Sequence, residues 1–521
     1  YMDLFSTYTS DRYFNRVFQS TRISTNSNLI IENEQLNELQ NDVSFLDSNL
    51  KIQWRPSDKD EISLSALYLK NDLDYKIEDI IDQRTNTDEL DLKNQGITLN
   101  WKRDWNPYWR HSFQTYYSDY VSDYLFSDNN ISGLEEGNRR FNSVEDFGIS
   151  VETVFQPNEK NVWSLGYQYY NTQVEFVLSR LDDLQEDFLD SSSSNLNSHN
   201  IFLNYEKQWK QFILNAGLRT TFLSSLQNWY FEPRINTTYK LSNAWALSAS
   251  AEVKNQAISQ FIEIESPLQL ANNIWTIADD EDYFVINSQQ LTFGVTYNKN
   301  SWNIDVEAYY KKLNNLSSYL RGFSNVATTN TDLFSKGSGE TLGIDLLIKK
   351  KVNNYNTWIG YTLSRTRQEF PDIQTESFPS LSDKTHSLQW INQYKWNQLE
   401  LSLGAQYSTG NPYTRGIGIS EDENQDFFIE YGPINNSRLR DYFRLDGSIF
   451  YNFKSKSNDF VKAKLGISFI NLLNRENELN RTYAIDEFSD DETPEVRDLI
   501  LEEETILGLR FTPNIVFRYW F

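Results

Sequence analysis

The chain has 521 residues, a net charge of −25 and only 39% hydrophobic residues. The strong negative charge argues against a nucleic-acid partner. No apolar run approaches the roughly 20 residues of a membrane-spanning helix, which excludes a helical membrane protein. The chain has no cysteines, which excludes disulfides and thiolate catalysis. Aromatic residues nevertheless reach 15%.

Short segments that alternate apolar and polar residues recur from the beginning of the chain to its end. Near the beginning, Leu50, Ile52 and Trp54 alternate with Lys51 and Gln53. Because successive side chains of a strand face opposite sides, each such segment predicts a strand with one apolar and one polar face. The same pattern recurs at residues 62–68, 147–152, 163–168, 245–250, 291–297, 302–308, 399–405 and 462–469.

The predicted strands, roughly twenty in number, are joined by connections of two lengths. Short polar turns occur at residues 298–300 and 397–398, whereas long polar stretches cover residues 181–198, 261–288, 319–337, 409–438 and 476–502. Short turns at one end and long loops at the other are typical of outer-membrane barrels, and the aromatic girdles of such barrels account for the high aromatic content. We therefore predict an all-β fold, a large antiparallel transmembrane β-barrel, with residues 1–521 in one domain.

Residues 507–521 alternate almost without a break and end on the aromatic residue Phe521. We predict that they form the closing strand of the barrel. The alternative is a soluble all-β protein, but a propeller should repeat about every 40 to 50 residues. Tandem sandwiches should show composition breaks between domains. The sequence shows neither feature.

Catalytic and cofactor motifs are missing from the sequence. The three histidines, His111, His199 and His386, are scattered without metal-ligand spacing. Nucleophile-elbow and phosphate-loop motifs do not occur. The sequence therefore predicts a protein that is not an enzyme and that needs no cofactor.

Acidic residues cluster in four of the predicted loops, at residues 182–187, 279–282, 421–423 and 486–504. Two of these loops, those with residues 279–282 and 421–423, hold the candidate metal ligands. Oxygen-rich clusters of this kind suit hard cations such as calcium, although their spacing matches no calcium-binding loop. The alternative is a solvated acidic surface that keeps long loops soluble. The candidate metal ligands are Asp279, Asp280, Asp282, Glu421 and Asp422.

The same two loops mix aromatic residues with polar neighbours, as a ligand-capturing mouth requires. The alternative is that these aromatic residues belong to the interface girdles of the barrel. The candidate ligand contacts are Trp275 and Tyr283 in the first loop, and Tyr413, Arg415, Phe427 and Tyr431 in the second.

A short segment near the end of the chain, residues 465–475, contains Asn471, Leu472, Leu473 and Asn474 ahead of the terminal Phe521. It resembles the "N-L-F-N" segment in the penultimate strand of the TonB-dependent receptors of Gram-negative outer membranes. Asn471, Asn474 and Phe521 would then be the barrel-closing signature. Further segments similar to that family are residues 337–351, 408–413, 383–386 and 443–446.

The resemblance implies a 22-stranded barrel filled by an N-terminal plug, in the outer membrane of a Gram-negative bacterium. TonB would act through the plug to drive import of a bulky, scarce ligand: a siderophore, cobalamin, an oligosaccharide or a peptide. The expected partners are outer-membrane lipid, TonB, the ligand and, in one branch of the family, a surface lipoprotein. Strand patterning already begins at residues 1–9, so we expect the plug, and with it the first strands, to lie outside this sequence.

Two other functions stay open at this stage. The chain would be a plugless passive pore or a structural barrel subunit of a larger outer-membrane assembly if no plug accompanies it. It would be a soluble secreted binding protein if it stayed in solution without detergent.

Overall fold

The computed structural model describes residues 2–10, 36–79, 84–130, 133–182, 185–260, 262–263, 274–319, 334–421, 427–454, 461–489 and 497–519. Every regular element in these ranges is a β-strand, and 30 strands are present. A helix long and apolar enough to cross a membrane is not found among these residues. The predicted all-β fold class is confirmed.

The strands of the first half are β1 Met2–Ser10, β2 Leu36–Ser57, β3 Asp60–Asp79, β4 Arg84–Asn106, β5 Trp109–Asn130, β6 Gly133–Asn158, β7 Asn161–Asp182, β8 Gln185–Gln208, β9 Phe212–Leu223, β10 Asn228–Lys240, β11 Trp245–Gln256, β12 Ile258–Gln260, β13 Ile262–Glu263 and β14 Trp275–Ile277. Those of the second half are β15 Ile286–Lys299, β16 Trp302–Tyr319, β17 Phe334–Val352, β18 Tyr355–Phe370, β19 Gln374–Pro379, β20 His386–Trp396, β21 Leu399–Ser408, β22 Pro412–Tyr413, β23 Gly416–Glu421, β24 Phe427–Tyr431, β25 Ser437–Arg438, β26 Tyr442–Lys454, β27 Val461–Ile470, β28 Glu478–Ser489, β29 Arg497–Leu507 and β30 Thr512–Tyr519.

One sheet contains 22 of these strands. Two of them, β13 and β19, are short additions beside β16 and β18. The rest form an antiparallel meander from β1 to β11, then through β15 to β18, β20, β21, β26 and β27 to β30. In the described residues, β1 pairs with β2 alone and β30 with β27 alone. The predicted number of about twenty strands is confirmed.

The connections of the meander are short at one end and long at the other. Two-residue turns at 58–59, 107–108 and 353–354 lie at the end that we call the inner end. The long connections, such as 257–285 and 409–441, lie at the opposite end, which we call the outer end. In outer-membrane barrels the short turns face the periplasm and the long loops face the exterior.

The expectation of a long loop at residues 181–198 is wrong. Strand β7 continues to Asp182 and β8 begins at Gln185. These strands contain 22 and 24 residues, about twice the 9–11 residues needed to cross a bilayer. Residues 190–195 at the outer end of β8 are polar at every position, so the alternation that marks a strand is missing there.

Alternate residues of each strand face the outside of the sheet and the lumen. In β16, Ile304, Val306 and Ala308 face outward, while Asp305 faces the lumen and accepts a hydrogen bond from the Thr296 hydroxyl at 2.6 Å. Val306 keeps 39% of its surface exposed. An apolar exterior around a polar lumen is the pattern of a transmembrane barrel, since the lipid replaces water as the solvent of the outer face.

Outward-facing aromatic residues form a girdle near the inner end. Trp109 stacks on Phe155 with ring centroids 4.4 Å apart, and Trp163 stacks on Tyr205 at 4.1 Å. Such girdles anchor barrels at the membrane interface and explain the high aromatic content. Other exposed members are Trp54, Trp101, Trp245, Trp302, Tyr355 and Trp396.

The three histidines also lie on the outward face, beside aromatic residues. The imidazole Nδ1 of His199 lies 2.8 Å from the Tyr167 hydroxyl, and that of His386 lies 2.8 Å from the Tyr361 hydroxyl. His111 contacts the edge of a tryptophan ring at 6.0 Å. These contacts give the histidines a structural role in the wall.

The closing strand is shorter than the alternation of residues 507–521 predicts. Leu507 is the last residue of β29, and β30 begins only at Thr512. Within β30, Ile515 and Phe517 face outward with 79% and 64% of their surface exposed. Phe521 lies outside the described residues.

Candidate functional site

The connection between β11 and β15 folds back into the lumen at the outer end. Its strand β14 pairs with β12 and packs against the lumen faces of β6, β7 and β8. We call residues 274–285 the inward segment. It narrows the lumen where a ligand from outside would enter.

An apolar cluster holds the inward segment on the lumen wall. Each of its six buried members exposes at most 4% of its surface. Because the lumen is otherwise polar, this apolar surface can be removed from water only when the segment is seated. The members are Ile277, Ala278 and Val285 of the segment, and Val174, Leu196 and Leu223 of the wall.

A single buried amide fixes the beginning of the inward segment. The side chain of Asn142, on the lumen face of β6, is 3% exposed. Its Oδ1 accepts the Trp275 N–H at 2.8 Å, and its Nδ2 donates to the Trp275 carbonyl at 3.2 Å. Both backbone polar groups of Trp275 are thereby satisfied where water is excluded.

The acidic run after β14 forms a tight turn. The Asp279 carboxylate Oδ1 accepts the backbone N–H groups of Glu281, Asp282 and Tyr283 at 2.9, 3.0 and 2.9 Å. Asp280 has φ 64°, in the left-handed region that Asp tolerates. Asp279 therefore acts as the acceptor that closes the turn.

The structure separates the acidic metal candidates. Asp279, Asp280 and Asp282 are exposed on the inward segment, whereas Glu421 is exposed at the end of β23. Asp422 lies outside the described residues. In the described part of the chain, no three His, Cys, Asp or Glu side chains are grouped to hold a metal ion. Calcium binding stays a prediction.

A polar cavity of about 390 Å³ lies in the lumen wall beside the inward segment. Its walls are cross-linked: the Asn200 Oδ1 accepts from Arg219 Nε at 3.3 Å and from the Thr221 hydroxyl at 2.7 Å. The Glu232 carboxylate lies 3.6 Å from Arg219 and accepts the Asn255 N–H at 2.8 Å. A ligand held here would meet fixed donors and acceptors of both charges.

Sequence reasoning missed this cavity. Its charges occupy alternate positions on β9, β10 and β11, at Arg219, Glu232, Arg234, Glu252 and Lys254. That alternation was readable in the sequence. Which of these charges face one another, however, depends on the strand register, which brings Arg234 opposite Glu252.

Two β-hairpins pack together elsewhere on the outer end. The rings of Tyr431 and Tyr483 meet edge to face, with centroids 6.4 Å apart, and Gly416 leaves room for the Tyr483 ring, which would lie 2.9 Å from an added Cβ. The predicted long connection at residues 476–502 leaves the main sheet between β27 and β30, and its described residues are mostly strand. We call β23 with β24 hairpin A and β28 with β29 hairpin B.

A buried carboxylate joins hairpin B to the barrel rim. The Glu478 side chain is fully buried, pairs with the Arg440 guanidinium and lies 3.1 Å from Arg481 Nη2. The Arg481 Nη1 lies 2.8 Å from the Glu503 carboxylate, and the same guanidinium lies over the Tyr413 ring at 5.2 Å. Each charged side chain of the cluster has an internal partner of opposite charge, which indicates a structural role.

The pKa of Glu478 reflects these partners. Burial by itself would raise the pKa of this carboxyl. Hydrogen bonds from the Arg440 backbone and side chain, and the positive charges of Arg481 and Arg440, outweigh burial and hold the pKa below its ordinary value. Glu478 therefore stays ionised at neutral pH.

Two of the family-like segments meet at one arginine. Arg438 forms an ion pair with Asp383, which is 3% exposed. The Arg438 Nη1 also donates to the Gly410 carbonyl at 3.0 Å, and the Asp383 Oδ1 accepts the Thr366 N–H at 2.6 Å. The segments at 383–386 and 408–413 thus anchor the outer loops to the wall.

Replacing Gly410 with alanine is expected to reduce the folded fraction of the barrel several-fold. An added Cβ would lie 1.8 Å from the Leu439 carbonyl oxygen, a backbone atom that cannot turn aside. The folded fraction is read from the shift of the unheated band in gel electrophoresis. The control is Gly360→Ala, where nothing lies within 4 Å; equal folding of both variants would contradict the prediction.

The barrel-closing asparagines form a turn between β27 and the rest of the chain. Asn471 and Asn474 have φ of 54° and 51°, which asparagine adopts more readily than most residues. The Asn471 Nδ2 donates to the Arg475 and Leu509 carbonyls at 2.8 and 2.9 Å. The Asn474 Oδ1 accepts the Phe511 N–H at 3.0 Å. The motif ties the exit of β27 to the approach of β30.

The six predicted ligand contacts fall into two groups. Trp275 and Tyr283 belong to the inward segment, and Tyr283 is only 5% exposed. Tyr413 is also buried, beneath Arg481. Tyr431 is half-buried in the contact between hairpins A and B, while Arg415 and Phe427 are exposed. As ligand contacts, all six stay predictions.

A comparison with family models gives one match. The model described as the β-barrel of TonB-dependent receptor-like proteins covers residues 24–472. A comparison with curated proteins gives no match.

Several solved structures share the fold. The outer membrane transporter YddB from Escherichia coli has a TM-score of 0.61 at 9% identity, over 92% of this chain and 69% of that chain. FpvA of P. aeruginosa, bound to heterologous pyoverdines, has a TM-score of 0.61 at 11% identity, over 92% and 65%. The FrpB iron transporter from Neisseria meningitidis has 0.58 at 10%, over 92% and 73%. The chain thus spans about two thirds of the length of the first two structures, and at these identities the likeness concerns the fold alone.

Proposed function

Since the chain belongs to the family of TonB-dependent receptor-like β-barrels, we propose that residues 1–521 form one barrel domain that binds a bulky, scarce ligand at its outer end for energised import. The observation that carries the proposal is the inward segment, seated over a polar cavity in the lumen wall. It gives the outer end both a constriction and fixed polar contacts. The family consists of receptors and transporters rather than enzymes.

The polar cavity supports a ligand rich in hydrogen-bonding groups. Arg219, Asn200 and Glu232 offer donors and acceptors in a fixed arrangement, so a ligand that matches them is bound without reorganising the wall. Among structurally similar proteins, one is described as bound to pyoverdines and another as an iron transporter. We place metal–siderophore complexes first, with cobalamin, oligosaccharides and peptides as alternatives.

In this proposal the barrel supplies recognition and TonB supplies the energy. TonB would act on a plug domain in the lumen, and the residues described here would hold the ligand above it. A surface lipoprotein would act as a lid over the outer loops if the ligand were an oligosaccharide or peptide. The site of action is the outer membrane of a Gram-negative bacterium.

Uptake in cells with and without the gene tests the proposal. Accumulation of four labelled probes would be measured: a ferric hydroxamate siderophore, cyanocobalamin, maltoheptaose and a hexapeptide. We expect the deletion to abolish uptake of one probe, the gene to restore it, and a protonophore to stop it. Uptake that persists with the protonophore, together with general entry of small sugars, would instead establish a passive pore.

A variant of the cavity makes the test specific. Arg219→Ala combined with Asn200→Ala is expected to lower the restored uptake at least tenfold, because the ligand loses fixed donors and acceptors. Lys102→Gln, which removes a lumen-facing cation of β4 near the inner end, is the control. Equal uptake by both variants would place the site elsewhere in the barrel.

A further inference from the structure

The outward face of strands β8 to β16 contains a groove of about 690 Å³. Its floor consists of the small side chains Ala216, Pro233 and Ala251, on alternate positions that face away from the lumen. Larger side chains, among them Leu203 and Tyr310, form its two sides. The groove is an apolar depression in the outward face of the wall.

The groove ends at a polar row near the outer edge of the apolar band. Gln289 lines the groove and lies directly opposite Lys312 on β16. Lys312 lies opposite Glu340, which lies opposite Arg367. The Tyr310 hydroxyl donates to Glu340 at 3.0 Å. The strand register therefore places charged groups at one end of the groove.

The cations of this row differ from other cations on the same face. In the described residues, Lys312, Arg365 and Arg367 have no carboxylate within 4.0 Å, the limit for an ion pair. The Arg367 guanidinium donates hydrogen bonds to Ser377 of the neighbouring strand β19. Lys70 and Arg139, outward near the outer end of other strands, each lie 2.7 Å from an aspartate. Unpaired cations beside a hydrocarbon surface are costly unless an anion arrives.

We propose that the groove and these three cations bind one lipid of the outer leaflet whose headgroup carries phosphate. Its acyl chain fills the groove, and Lys312, Arg365 and Arg367 contact the phosphate, for which the planar guanidinium is well suited. Glu340 offsets one of the three charges, and its carboxylate is already engaged by Tyr310.

Because the chain as a whole is acidic, this cluster of cations is a place where anionic headgroups are preferred. The net charge is −25, so the protein as a whole repels anionic headgroups. Farther toward the outer end, Glu369 lies opposite Ser338, and the Lys336 ammonium is engaged over the Phe284 ring at 4.0 Å. A phosphate is attracted at this row because the cations outnumber the carboxylate.

Native mass spectrometry of the purified protein in neutral detergent tests the proposal. Diphosphoryl lipid A and phosphatidylcholine of similar acyl length are titrated in parallel. We expect tight binding of one diphosphoryl lipid A and at least tenfold weaker binding of phosphatidylcholine. Lys312→Gln with Arg365→Gln is expected to weaken lipid A binding roughly twenty-five-fold, from about fivefold per removed cation. These two residues are chosen because they leave the hydrogen bonds of Arg367 intact.

Two further variants separate the parts of the site. Ala216→Phe with Ala251→Phe fills the groove without changing any charge, and is expected to weaken lipid A binding as strongly as the loss of the cations. Lys70→Gln, which removes a paired cation of the same face, is expected to leave binding unchanged. All variants are first shown to fold by their electrophoretic shift.

Three results would overturn the proposal. Equal affinity for diphosphoryl lipid A and phosphatidylcholine would show that the anionic phosphates of lipid A are not recognised. Equal losses of lipid A affinity in the Lys70 control and the double variant would show that this row of cations does not bind the lipid. Binding of glucosamine 1-phosphate as tight as that of lipid A would assign the cations to a soluble phosphate instead of a lipid.

Discussion

Replacing Glu478 with glutamine is expected to loosen hairpin B from the barrel rim. The neutral amide leaves the guanidinium groups of Arg440 and Arg481 without their shared carboxylate. Breaking a buried ion pair costs about 3–5 kcal/mol. Because the Arg440 side chain is 69% exposed, water compensates part of that loss, and we expect about 2 kcal/mol, or roughly thirtyfold faster amide exchange in hairpin B.

An exposed ion pair of the same region is the control. Arg510 and Glu476 lie 2.5 Å apart, with 53% and 54% of their side chains exposed. Exposed pairs contribute about 0–1 kcal/mol, so Glu476→Gln should change the exchange by less than about fivefold. Equal acceleration by both variants would show that burial of Glu478 does not hold the hairpin.

The pH dependence of the same contact follows from the lowered pKa of Glu478. A carboxyl whose pKa is lower in the folded state contributes its full stabilisation above its unfolded pKa, about 4.3. That stabilisation is lost as the pH falls through the folded value. The protection factors of the hairpin B amides, which compare each amide with its intrinsic exchange rate at the same pH, should therefore fall below about pH 4 in the parent. In Glu478→Gln this component of the fall should be missing.

The wall of the barrel could be predicted from the sequence because its signal is local. Alternation of Ile304, Asp305, Val306 and Glu307 identifies a strand and its two faces without knowledge of any partner. Lipid and lumen impose opposite preferences on adjacent residues. The signal fails at the outer end of β8, where residues 190–195 are polar at every position.

The candidate site could not be predicted, since its contacts join distant parts of the chain. Asn142 and Trp275 are separated by 133 residues. In the sequence, an asparagine that binds a distant backbone segment cannot be distinguished from the other polar residues of the lumen. Tyr413 was expected at a ligand mouth from its aromatic and polar neighbours. Its burial under Arg481 depends on hairpin B, which lies far away in sequence.

Replacing Ile277 with aspartate is expected to unseat the inward segment. A carboxylate in the apolar cluster would lose its hydration without gaining a partner, at a cost of several kcal/mol. The segment would leave the wall, since this cluster is the apolar contact that seats Trp275–Ile277 there, beside the Asn142 amide and the pairing with β12. The chain has no cysteine, so Ala278→Cys provides a single reporter. Its alkylation by a bulky maleimide should accelerate more than about a hundredfold in the Ile277→Asp background.

Two controls show whether faster alkylation reports unseating of the segment. Ile277→Val costs only about 0.5–1.5 kcal/mol and should leave the reporter protected, while a reporter at the exposed Asp280 should react equally in every background. If uptake of the identified probe falls together with protection, the seated segment is part of the transport site. Unchanged alkylation in Ile277→Asp would mean that the apolar cluster does not hold the segment. Unchanged uptake after unseating would show that the constriction and the ligand site lie in another part of the outer end.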